Sequence, residues 1–146
     1  MKNFLKTVWN VWLYFWQLPQ NLLGLLFLLV LRKRRLVHEQ DGRRFYVARA
    51  MRGAISLGDY IIISENNSRR KPVYDHEFGH TVDSRKWGWL YLPVIGLCSG
   101  LHCLLYDRAT NYYDYWTERR ANRFGGIEGY AGEFEYPGGV VDLTFD

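Results

Sequence analysis

Between Phe4 and Leu31 the chain carries a single charge, Lys6, in 28 residues. In a chain of 146 residues, so long an apolar stretch must be wrapped by the rest of the fold or find an apolar partner outside it. It divides at Leu18-Pro19-Gln20-Asn21. The first part is crowded with Trp9, Trp12, Tyr14, Phe15 and Trp16, residues suited to a membrane–water interface. The second, Leu22 to Leu31, is uniformly apolar and stops at Arg32-Lys33-Arg34-Arg35. Ten residues rise only about 15 Å as a helix, half of a bilayer core of roughly 30 Å. The stretch therefore predicts either a helix that runs through Pro19 and spans a bilayer, or an interfacial helix ahead of a shallow insertion. A signal peptide fits less well: no small-residue cleavage site is present, and the basic cluster follows the apolar run instead of preceding it.

The charge distribution points to the same surroundings. The net charge is +4, yet residues 1–35 hold six basic side chains and no acid, while the rest of the chain holds 13 basic and 15 acidic ones. Basic residues thus flank the apolar segment, where membrane lipid headgroups are the natural partner. No basic stripe suited to nucleic acid is left over, which excludes that class of partner. Cys98 and Cys103 stand five residues apart. On a helix that spacing points them in different directions, so they read as small buried hydrophobes and not as a disulfide.

From Arg43 to Glu65, short β-branched and aromatic runs alternate with turn signals. Phe45–Ala48, Ala54–Leu57 and Tyr60–Ile63, separated by Arg52-Gly53 and Gly58-Asp59, predict a three-stranded meander. After the polar loop Glu65–Pro72, a helix is predicted from Val73 to about Lys86, with Pro72 near its start and Asp75 and Glu77 in its early turns. Leu90 to Tyr106 is apolar but interrupted by Pro93, Gly96, Ser99 and Gly100. Asp107 to about Phe124 predicts a second helix, closed by Gly125-Gly126. The remainder holds five acids and no base, interleaved with apolar residues that predict a tail docked on a surface.

The chemistry centres on His76-Glu77-Phe78-Gly79-His80. Histidines four apart share one helix face, so both imidazoles can reach one metal ion. Glu77 lies on the adjoining edge, placed to take a proton from a water on that ion without ligating it. With four His and seven Glu in the chain, this HExxH pattern arises by chance in roughly one chain of this length in two hundred. A catalytic zinc needs a third protein ligand and an open position. A third histidine shortly after the motif is missing, since Asp83 and Lys86 occupy those places. Glu118 on the second helix is the best candidate, as opposed to a surface glutamate paired with Arg119 or Arg120, and Asp114 is the reserve. Asn122 lies one turn on and can touch a ligand's far side, while small Ala121 allows the two helices to approach closely. His102 reads as a packed core histidine, and one of Tyr112, Tyr113 and Tyr115 is a candidate hydrogen-bond donor to an oxyanion. His80 and Glu118 can share one ion only if Leu90–Tyr106 returns to its own side, as a re-entrant or interfacial excursion or as a buried core hairpin.

An HExxH helix followed by a glutamate helix resembles the gluzincin branch of the zincin metallopeptidases. More narrowly, the chain is similar to a family of small bacterial membrane-associated proteins with no assigned substrate. The shared marks are Trp16-Gln17-Leu18-Pro19-Gln20-Asn21, His76 to Thr81, Leu90-Tyr91-Leu92, Gly96, and Trp116-x-Glu118-x-x-Ala121-Asn122-x-x-Gly125-Gly126. Many relatives carry Asp at the position of Asn122. The likeness implies a place at the bacterial inner membrane.

Together these readings predict an α+β zincin-like domain: a membrane anchor over 1–35, a metallopeptidase domain over 36–127 and an acidic tail over 128–146. The expected metal is zinc, held by His76, His80 and Glu118. The expected reaction is hydrolysis of a peptide or protein substrate with Glu77 as general base, on the cytoplasmic side, with Tyr60–Ile63 as the edge strand that pairs with substrate. The alternatives are a non-catalytic membrane protein whose metal is structural or absent, and a zinc hydrolase of non-peptide substrates.

Overall fold

The computed structural model of the chain describes residues 2–31, 33–106 and 112–127; the acidic tail and its expected docking lie outside them. Two helices, α1 (Lys2–Trp16) and α2 (Leu18–Val30), precede four strands: β1 (Arg34–Gln40), β2 (Arg43–Ala48), β3 (Ala54–Leu57) and β4 (Tyr60–Ser64). Three further helices follow, α3 (Lys71–Trp87), α4 (Leu97–Leu105) and α5 (Trp116–Phe124). This is a small α+β fold.

The expected three-stranded meander is a four-stranded mixed sheet in the order β1-β2-β4-β3. β1 and β2 are antiparallel, β2 and β4 parallel, and β3 and β4 antiparallel. The extra strand comes from the basic cluster itself: Arg34 pairs with Ala48, and the hairpin closes at Asp41-Gly42. Both turn residues have positive φ, 50° and 81°, the conformation for which an Asp-Gly pair is suited. β4 takes the centre because Ile61, Ile62 and Ile63 are apolar on both faces and all fully buried. Ala54-Ile55-Ser56-Leu57 is short and only its second half is buried, and it takes the edge.

Each face of the sheet has its own core. On one side Leu28 and Leu31 pack with Ala48, Tyr60 and Ile62. On the other Tyr74 of α3 packs with Phe45, Ile61 and Ile63. The end of α2 is therefore built into the sheet's core.

Of the two arrangements expected for the apolar N-terminal stretch, the helix running through Pro19 does not form. α1 and α2 meet at 84°, and among the described residues no single helix is long and apolar enough to cross a membrane. The bend is held by a buried polar hinge, because Gln17, Gln20 and Asn21 are all fully buried. Gln17 donates to Asp59 Oδ1 at 3.2 Å and accepts from Ser84 Oγ at 2.6 Å. Gln20 donates to the Gly88 carbonyl. Asn21 donates to the Tyr14 carbonyl at 2.8 Å, a group the helix break leaves without its usual partner, and accepts from the Asp59 backbone N–H at 2.7 Å. Gly58, in the β3–β4 turn, has φ 64°, and a Cβ there would lie 2.1 Å from Asn21 Oδ1.

The segment after α3 also bends, by 114° between residues 71–90 and 92–105. It passes through a π-helical turn at Leu92–Gly96 before α4. Tyr91 and Ile95 are buried, but Leu97, Leu101, Leu104 and Leu105 are exposed, so the segment is not a buried core hairpin. Cys98 is half-buried and Cys103 exposed; both are free, which corrects the expectation of buried cysteines. α5 starts later than expected, at Trp116, after a single turn at Tyr112–Asp114.

Asn21→Ala removes the side-chain partners of the part-buried Tyr14 carbonyl and the buried Asp59 N–H, each left unsatisfied at about 1–3 kcal/mol. It should lower stability by roughly 2–5 kcal/mol in chemical denaturation. An unchanged midpoint would show that the hinge is not what fixes the bend.

Candidate metal centre

α3 and α5 cross where neither helix carries a bulky side chain. A Cβ on Gly79 would lie 1.9 Å from the Ala121 carbonyl oxygen, and one on Gly125 2.1 Å from the Asp75 carbonyl oxygen. Beside the crossing, Arg120 donates to both oxygens of the fully buried Asp83, at 2.7 and 3.1 Å. Lys86 Nζ sits 3.7 Å above the Phe124 ring. Arg120 is thus engaged with α3 and leaves Glu118 to the interior.

The crossing brings His76, His80 and Glu118 together. Glu118 Oε2 lies 3.2 Å from His76 Nε2 and 3.5 Å from His80 Nε2, and the three candidate ligand atoms fall within 4.8 Å of one another. Such a group can hold one metal ion. The other carboxylate oxygen, Oε1, accepts from Ser99 Oγ at 2.7 Å and from Thr117 Oγ1 at 3.1 Å. These hydroxyls leave Oε2 as the atom turned to the imidazoles. His76 Nδ1 lies 2.7 Å from Asn122 Oδ1, an acceptor, so Nδ1 carries a proton and Nε2 is the nitrogen turned to Glu118, able to take a metal ion in exchange for its own proton. Among the described residues His80 Nδ1 has no such partner.

Electrostatics agree with this arrangement. Burial acts to lower the His76 pKa, but the hydrogen bond to Glu118, the charge of Glu77 and the bond to Asn122 outweigh it and raise it. Burial acts to raise the Glu118 pKa, but the bonds to His76, His80 and Ser99 hold it well below the usual carboxylate range. Glu118 is therefore a buried carboxylate held ionised by the imidazoles beside it, and the same pairing raises the His76 pKa.

Glu77 is buried but lies outside the ligand group. Ser56 Oγ, on β3, stands 2.6 Å from Glu77 Oε2 and 2.8 Å from the Glu77 carbonyl oxygen, and its single proton serves one at a time. A cleft of about 870 Å³ opens over these groups, lined by β3 and by the stretch from Tyr91 to Cys103. Tyr91 is buried at its wall, and burial together with Glu77, Asp83 and Glu118 pushes its hydroxyl pKa well up, so it remains a neutral donor. Tyr113 also lines the cleft, with its ring edge-on to His76 at 5.4 Å. Tyr115 instead stacks on His102 at 4.1 Å, the side chain of Tyr112 lies outside the description, and Asp114 is exposed and outside the group.

Sequence reasoning missed Ser56, Ser99, Thr117 and Tyr91. Only Thr117, adjacent to Glu118, carried a local signal. The others reach the site from elements whose placement depends on the tertiary fold.

Gly79→Ala tests the crossing. Its Cβ meets backbone, which has nowhere to move, so the helices must separate. Stability should fall by about 3 kcal/mol or more, and metal uptake in equilibrium dialysis should be lost. A variant that takes up metal like the parent protein would contradict this packing. No family model, curated protein or solved structure matches the chain at a significant level, so the functional reading rests on the site itself.

Proposed function

We propose that the chain is a membrane-associated zinc metallopeptidase in which His76, His80 and Glu118 hold the ion and Glu77 is the general base. The observation that carries this reading is the convergence of two imidazoles and one carboxylate oxygen beside an independently held glutamate. Two ligands about 2.0–2.1 Å from a tetrahedral zinc lie roughly 3.3 Å apart. The two separations from Glu118 Oε2, 3.2 and 3.5 Å, are close to that edge. With three protein ligands, one position stays open for water. Held by these residues, zinc would act as a Lewis acid and lower the pKa of a bound water to about 7.

The chain's own groups then have distinct tasks. Glu77 takes the proton of the attacking water and returns it to the leaving amine. Ser56 is a positioning residue that fixes the Glu77 carboxylate. Tyr91 or Tyr113 donates to the developing oxyanion from the cleft wall. The substrate-pairing edge is β3 and not Tyr60–Ile63, because β4 lies inside the sheet; the free edge of β3 offers backbone groups to an extended peptide. A non-catalytic metal site would have no use for Glu77, and a non-peptide hydrolase would have no use for the β3 edge.

Membrane association is supported by apolar faces that the fold leaves uncovered. Phe4, Trp9 and Phe15 of α1, Leu26 and Leu29 of α2 and Leu104 and Leu105 of α4 are each at least half exposed. Short helices joined at sharp bends suit an interfacial position better than a span. The basic residues at 32–35 favour the cytoplasmic leaflet. The chain should float with anionic vesicles, and Leu26→Ser with Leu29→Ser should weaken flotation without altering the melting temperature. Equal flotation would remove α2 from the membrane reading.

Glu77→Gln should keep about one zinc per chain and lower peptide hydrolysis by roughly 10²- to 10⁴-fold. Ser56→Ala should cost roughly 10- to 100-fold, the loss expected when a charged acceptor loses one hydrogen bond. Undiminished hydrolysis by Glu77→Gln would eliminate the mechanism.

A further inference from the structure

The cleft over the metal site differs in chemistry from end to end. β3 runs along one wall, and its C-terminal residue Leu57 packs against α2, where a Cβ on Gly24 would come within 2.8 Å of the Leu57 carbonyl oxygen. Leu23, the preceding residue of α2, lines the cleft and is 43% exposed. Leu22, Leu26 and Leu29 continue the exposed apolar surface of α2 beyond it. This end of the cleft therefore opens onto the surface assigned above to lipid.

The other end is cationic. Gly53, just before β3, accepts from the Ser64 backbone N–H at 2.8 Å, and the turn Glu65–Asn67 carries the chain from there to Arg69 and Arg70. Both arginines line the cleft and are exposed. The neighbouring acids are already engaged: Glu65 with Arg49, and Asp75 with Lys71. Among the described residues neither Arg69 nor Arg70 has an ion-pair partner. Glu77 and Ser56 lie between the two ends, so a chain bound along β3 would pass over the reacting centre with its two halves in unlike surroundings.

We propose that this cleft recognises an extended polypeptide segment with an apolar side chain at the Leu23–Leu57 end and an acidic side chain at the Arg69–Arg70 end. The proposal rests on the peptidase reading and narrows its substrate class to the acidic stretch that borders an apolar, membrane-seated segment. From Gly53 to Leu57 the wall spans four residue steps, about 13 Å at 3.3 Å per residue, so the two determinants lie about four residues apart. The charge preference arises from exposed guanidinium groups, so it is moderate and screened by salt.

Fluorescence anisotropy on the zinc-loaded Glu77→Gln protein tests this without relying on turnover. Three short labelled peptides serve: one with Leu-Leu and Glu-Glu spaced as above, one with Lys-Lys replacing Glu-Glu, and one with Ser-Ser replacing Leu-Leu. The Glu peptide should bind about tenfold tighter than the Lys peptide, and the difference should shrink at high salt. The Ser peptide should bind more weakly than the Glu peptide. Arg69→Glu with Arg70→Glu, both at exposed positions, should reverse the preference. Equal binding of the Glu and Lys peptides, a preference that survives charge reversal, or no binding of any peptide overturns the proposal. Binding of monomeric short-chain phosphatidylglycerol where no peptide binds assigns the cationic end to a lipid phosphate and also overturns it. If selective binding is seen but the parent protein cleaves none of the bound peptides, recognition stands and the peptidase reading fails.

Discussion

The backbone contact between Gly79 and Ala121 sets the distance on which the site depends. Glu118 precedes Ala121 by one helical turn, and His76 and His80 flank Gly79, so the helix separation at this point fixes how near the carboxylate comes to the imidazoles. With a hydrogen in place of a side chain at Gly79, Glu118 Oε2 comes within 3.2 and 3.5 Å of the two rings. The Arg120–Asp83 pair then guards the register, because Asp83 is fully buried and would be costly to leave without its cation. Gly79 thus acts as a geometric determinant of the site even though it contributes no ligand atom.

A second constraint is the polar hinge at Gln17, Gln20 and Asn21. Apolar helices such as α1 and α2 have little directional preference of their own, since hydrophobic burial does not discriminate among orientations. Buried amides do discriminate, because each unsatisfied group costs more than a neutral hydrogen bond gains. The hinge ties both helices to Asp59, Ser84 and Gly88 and holds them at 84°, leaving the α2 leucines beside the cleft partly uncovered. One sequence stretch therefore bears on the site and on the surface next to it.

Much of the site was legible in the sequence because its signals are local. The spacing of His76 and His80 needs only helical periodicity, and Glu118 with small Ala121 needs only a second helix. What escaped depends on non-local pairing. The sheet order follows from Ile61–Ile63 being apolar on both faces, a pattern that fits a meander strand equally well until both covering layers are known. β1 gives little strand signal of its own, since Arg34 and Arg35 suit a membrane flank equally well and only Asp41-Gly42 marks its hairpin. Ser56 and Ser99 looked like ordinary serines, and only the fold brings them to Glu77 and Glu118. The glutamines and asparagine of residues 17–21 looked like an interruption of an apolar segment; their role as a staple is visible only once Asp59 and Ser84 face them.

On the reading proposed above, two imidazoles and one carboxylate from a glycine-gated helix crossing bind a single zinc with one position left to water. X-ray absorption at the zinc edge of the loaded protein reads this coordination directly. Four nitrogen or oxygen neighbours at about 2.0–2.1 Å are expected, with imidazole scattering from two of them. A sulfur neighbour at about 2.3 Å, which would implicate Cys98 or Cys103, or a spectrum without imidazole scattering, would contradict it.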